Sequence, residues 1–144
     1  MQKKEFKKVL ENILAQYGFH YVNKAYYLDN DEIIIVIATQ KSNYENSYYI
    51  NFGFLIKKVN PEIKYPKDNA CDVFGRFVLD CNGKQYQSMD LDSFNIENLS
   101  VSVKNFMEVN IKPVIENGLS KYFEINPKAI FTATLKAKNY LNLK

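Results

Sequence analysis

Residues 32 to 57, EIIIVIATQKSNYENSYYINFGFLIK, restrict the fold more than any other stretch of this chain. Two runs rich in β-branched and aromatic residues flank a polar, turn-forming segment, Ser42 to Asn46. That pattern predicts a β-hairpin closed by a loop of about five residues. The first run, Ile33 to Ala38, is apolar on both faces, which places it near the middle of a sheet. In the second, Tyr48, Ile50, Phe52, Phe54 and Ile56 point one way. Tyr49, Asn51, Gly53, Leu55 and Lys57 point the other, since strand side chains alternate.

Around this hairpin the rest of the chain supplies helices and shorter strands. Phe6, Val9, Leu10, Ile13, Leu14 and Tyr17 recur at helical spacing, and Gly18 follows where a left-handed cap residue belongs. Phe19 to Leu28 reads as a strand, joined through Asp29-Asn30-Asp31 to the central one, so residues 20–57 form a meander. A loop marked by Pro61 and Pro66 spans Asn60 to Asn69. Cys71 to Leu79 reads as a shorter strand near an edge, with a bulge expected at Gly75. Asn82-Gly83 signals a hairpin that pairs Lys84 to Met89 with Phe77 to Cys81.

From about residue 97 to Asn117, Leu99, Val103, Phe106, Met107, Asn110, Ile111, Val114 and Ile115 keep helical spacing. Pro113 should kink or divide that helix, and Gly118 should close it. Asn126-Pro127 then reads as the start of a last helix carrying Ile130, Ala133, Ala137, Tyr140 and Leu141 on one face. The expected fold class is α+β, in one domain over residues 1–144. Its antiparallel sheet has about four to five strands, the meander plus further strands over 71–89, packed with an N-terminal helix and two to three C-terminal helices.

Composition narrows the functional classes. Apolar residues make up 47% and charged residues 24%, as in an ordinary globular protein. The net charge of +3 is spread evenly along the chain, so nucleic acid is not an expected partner. Four lysines, Lys3, Lys4, Lys7 and Lys8, line the polar side of the first helix and read as a solvated face. MQKKEFKKVLENIL lacks the uninterrupted apolar core of a secretory signal, and no apolar run approaches the roughly 20 residues of a membrane span. The expected compartment is the cytoplasm, with Cys71 and Cys81 as reduced thiols.

Catalytic chemistry is hard to assemble from this inventory. His20 is the single histidine, and with two cysteines it falls short of the roughly four ligands of a structural zinc site. The five glycines form no phosphate-binding loop, and no cofactor is expected. Asp29, Asp31 and Glu32 cluster at a turn. Glu62-Ile63-Lys64 has a metal-nuclease spacing but lies between two prolines, where a loop is expected in place of a strand. Asp90 and Asp92 read as surface residues. More informative are polar residues inside apolar strands: Gln40, Asn51 and Arg76. With Lys41 they form either a network that fixes strand register or a shallow ligand site, the cations meeting an anion and the amides supplying oriented hydrogen bonds.

These segments also carry a resemblance. The helix ending in YGF (Tyr17 to Phe19), the aromatic pair Tyr26 and Tyr27, TQKS (Thr39 to Ser42), YYINFGF (Tyr48 to Phe54) and CDVFGRF (Cys71 to Phe77) resemble a bacterial family known as domain of unknown function 4304. The resemblance extends over roughly residues 5 to 125. Where such relatives often carry tryptophans after the arginine segment, this chain has Tyr86 and Phe94. It implies a fold and a bacterial cytoplasmic setting, and no activity or catalytic residues.

Two functional readings follow. The first is a non-catalytic binding module with a protein partner, one version being an immunity-type protein that blocks a toxin; tyrosine abundance suits it. The second is a small-molecule or anion-binding domain, with enzymatic activity open, using Gln40, Lys41, Asn51 and Arg76. An exposed edge strand near residues 71–79 is compatible with either a monomer or a homodimer.

Overall fold

In the computed structural model of the protein, residues 1–142 are described. Helix α1 (Lys3–Gln16) leads into strands β1 (His20–Val22), β2 (Ala25–Asp29), β3 (Ile33–Lys41) and β4 (Ser47–Ile56). A long loop then reaches β5 (Val73–Arg76), β6 (Leu79–Cys81), β7 (Lys84–Tyr86) and β8 (Met89–Asp90). The helical part comprises α2 (Ile96–Phe106), a π-helical stretch (Met107–Ile111), α3 (Lys112–Asn117), α4 (Ser120–Ile125) and α5 (Leu135–Tyr140).

The main sheet is antiparallel in the order β1-β2-β3-β4-β5, with β8 also on β4, and β6-β7 form a separate hairpin. The predicted hairpin is its centre: β3 and β4 pair from Ile33↔Ile56 to Lys41↔Tyr48, and residues 42–46 close the loop. One expected strand is in fact two. Asn23 and Lys24 both take positive φ (52° and 67°), the two-residue turn whose twist suits a tight hairpin, so Phe19 to Leu28 splits into β1 and β2. Asparagine tolerates that conformation and lysine rarely does, which hid the turn. Asn82 and Gly83 adopt it at the site expected for them (51° and 78°).

One face of the sheet holds the main core. Ile33, Ile35, Ile37, Ile50, Phe52, Phe54 and Ile56 pack there against Phe6, Leu10 and Leu14 of α1, Val103 and Phe106 of α2, and Tyr122 of α4. The opposite face is covered only in its middle. There Ala25, Tyr27, Ile34, Val36, Leu55 and Cys71 form a second small cluster. The 57–72 segment lies over it, and the Tyr27 hydroxyl donates to the Pro66 carbonyl (3.0 Å). Gly53 is needed beneath that segment, because a Cβ there would sit 2.6 Å from Cys71 Sγ and 2.7 Å from the Asp68 carbonyl oxygen. The Cys71 thiol donates to the Lys67 carbonyl (3.3 Å).

Gly75 makes no bulge. It pairs regularly with Phe52, whose ring lies over it so closely that a Cβ would meet Cζ at 2.8 Å. Pro113 divides the long helix as expected, with a π-helical stretch at the join. A proline contributes no N–H and crowds the carbonyl one turn earlier, so the chain widens there before α3 begins. Gly118 closes α3 at φ 91°. Pro127 starts a 3₁₀ turn (Pro127–Phe131) in place of the expected last helix. That helix begins only at α5, where Thr134 Oγ1 accepts from Ala137 N–H (3.2 Å). Among the described residues no helix is long and apolar enough to cross a membrane.

Candidate functional site

The register of β3, β4 and β5 sets Gln40, Asn51 and Arg76 on one face. Asn51 lies between Ala38 and Arg76, and Gln40 lies opposite Tyr49. Their side chains meet. Asn51 Nδ2 donates to Gln40 Oε1 (3.0 Å), Arg76 Nε donates to Asn51 Oδ1 (3.0 Å), and an Arg76 Nη2 proton reaches Gln40 Oε1 (3.2 Å). The guanidinium carbon stands 3.9 Å from the centre of the Tyr49 ring, a close cation–π stack. This cluster lies at the uncovered end of the second sheet face, and Gln40 and Arg76 are exposed. Nη1 makes no hydrogen bond to the described residues and stays available.

Lys41 is not brought to this group. It follows Gln40 in the same strand, so it points to the other face, where its ammonium donates to the Ser42 carbonyl (3.1 Å) and that of Glu45 and lies 5.9 Å from the Tyr48 ring centre.

Two open depressions meet at Gly75, Arg76 and Val78. One, of about 540 Å³, carries Gln40, Asn51, Phe74 and Thr132. The other, of about 510 Å³, lies on the helix side between Phe52, Phe106 and Tyr122, with Asn105, Asn110 and Asn126 at its wall. Asn126 Nδ2 donates to Asn110 Oδ1 (3.1 Å), and the π-helical stretch places Asn110 and Val109 there. The Tyr122 hydroxyl makes no hydrogen bond to the described residues, and burial pushes its pKa up to about 12. Sequence reasoning missed Tyr49, Phe74 and these asparagines. Tyr49 could have been found, since it precedes Asn51 by two and so shares its face.

Several of the acidic residues have structural partners, whereas Asp31 is exposed. Asp29 pairs with Lys57 (2.6 Å), while Glu32 accepts the Leu119 N–H (2.8 Å) and the Tyr140 hydroxyl (3.2 Å). Asp90 Oδ1 accepts the Asp92 N–H (2.9 Å). Glu62 and Lys64 lie exposed in the loop, and His20 is exposed at the start of β1. No three metal-ligating side chains gather among the described residues.

Architecture and site together define an α+β domain with a polar, arginine-centred surface at the free side of an antiparallel sheet. A family model described as Domain of unknown function (DUF4304) matches residues 10–117, and the chain belongs to that family. No curated protein and no solved structure matches it.

Proposed function

We propose that this chain is a non-catalytic binding module whose anchor for a protein partner is Arg76. The observation that carries this reading is the setting of the guanidinium. Tyr49 supports its plane, Asn51 and Gln40 hold one edge, and the Nη1 edge remains open between two depressions. A fixed planar fork on an open surface loses little freedom on meeting a carboxylate, so such arginines are frequent anchors at interfaces. Exposed apolar side chains line the same depressions: Phe74 is 45% exposed and Val78 37%.

The test is co-purification of the full chain from native lysate of its source cells, beside the Arg76→Ala variant. A stoichiometric partner retained by the wild type and lost by roughly tenfold or more with Arg76→Ala is the expected result. Recovery of no partner, or equal recovery by the variant, overturns the reading.

The same arginine also favours a second reading, a site for a small anionic molecule with the neighbouring amides as orienting groups. A thermal-shift screen with phosphate and small carboxylates discriminates, since a bound anion raises the unfolding temperature of the wild type and leaves Arg76→Ala unmoved.

A further inference from the structure

The free side of β5 carries more than a side chain. Antiparallel ladders alternate between rows that exchange hydrogen bonds and rows that do not. The Phe77 N–H donates to the Ile50 carbonyl (2.7 Å), so Ile50↔Phe77 is a hydrogen-bonded row, and two residues along so is Phe52↔Gly75. Phe74 and Arg76 occupy the intervening rows and turn their own N–H and C=O groups away from β4. Among the described residues no strand lies on that side of β5, and none hydrogen-bonds these four groups. Both residues are exposed.

The two depressions flank this edge on opposite faces of the sheet. Phe52 belongs to the core face and lines one, whereas Asn51 and Gln40 belong to the other face and line the second. The side chains of an added strand alternate between faces, so they would enter the two depressions in turn. An acidic side chain on the second face would lie within reach of Arg76.

We propose that β5 accepts an extended segment of a partner protein as a further strand of the sheet, with a carboxylate of that segment on Arg76. This rests on the binding-module reading and specifies how the partner is held. Charge favours a different protein over a second copy of this chain, because β5 itself is VFGR and would bring an arginine and no acid.

The experiment selects a displayed library of random peptides, each of about eight residues, against the immobilised full chain. Enriched peptides alternate apolar and polar positions around one Asp or Glu. The best of them is then measured against Phe74→Pro, Phe74→Ala and Arg76→Gln. Phe74→Pro removes an outward N–H and no bond to β4, so binding falls roughly tenfold or more below that of Phe74→Ala, which keeps the N–H. N-methylation of alternate amides in the peptide abolishes binding to the unmodified chain, a readout independent of how well the proline variant folds. Equal binding by the proline and alanine variants overturns strand addition. So does indifference to N-methylation, failure to enrich any acidic peptide, or self-association of the chain that Phe74→Pro abolishes. A natural partner that needs Arg76 but tolerates Phe74→Pro leaves the binding module standing and removes only the added strand.

Discussion

Asp72 shows how much a single buried side chain can hold in place. It is 3% exposed, yet its oxygens accept from three separate parts of the molecule. Oδ2 accepts from the Ile56 N–H (3.0 Å) and Asn60 Nδ2 (2.8 Å), and Oδ1 accepts from the Thr134 hydroxyl (2.8 Å). Its carbonyl accepts the Thr134 N–H (2.9 Å). The end of β4, the 57–72 loop and the cap of α5 are joined through this residue. Asp72→Ala strands two buried donors and removes the partner of the half-buried Thr134 hydroxyl, so the expected loss is about 2–3 kcal/mol. Urea unfolding followed by circular dichroism measures it, and an unchanged midpoint would refute this account. Nothing in the sequence marks Asp72 apart from other acids, because its partners lie 12, 16 and 62 residues away.

Among elements, legibility followed the strength of local signals. The β3–β4 hairpin was readable because two long β-rich runs and a polar loop agree, and the β6–β7 turn because Asn-Gly suits positive φ. The β1–β2 turn was not, since Lys24 gives no such signal. The loop over the second sheet face has no periodicity, so its covering of Leu55 and Tyr27 rests on contacts that only the tertiary fold provides. The candidate site was readable in part. Gln40, Asn51 and Arg76 stand out as polar breaks in apolar strands, and the register joins them. Lys41 was a misplaced member, which strict alternation from Gln40 would have excluded. Asn110 keeps helical spacing and Asn126 reads as a helix start, while Asn105 carries no local signal; only tertiary packing brings the three to one wall.

At the scale of the whole molecule, the aromatic core ties stability to alkaline pH. Burial pushes Tyr26 and Tyr122 up to about 12, and Tyr17 reaches about 12 through burial and then its hydrogen bond to Glu108. In the unfolded chain these phenols ionise near 10. The folded pKa lies above the unfolded one, so the stability they contribute is complete below pH of about 10 and is lost as pH rises toward 12. Ultraviolet titration of tyrosinate, run beside circular dichroism, should show a late group of phenols that ionise together with loss of structure. Smooth titration of every tyrosine near 10 with the fold intact would contradict it.

The two cysteines differ in a way that makes the molecule easy to instrument. Burial pushes the Cys71 thiol up, away from the thiolate that reacts with alkylating dyes, whereas Cys81 is partly exposed beside the Asn82–Gly83 turn. A maleimide fluorophore therefore goes to Cys81, one residue from Asp80 on the wall of the helix-side depression. The native chain comes with its own attachment point for a reporter of occupancy, and no residue has to be replaced to use it.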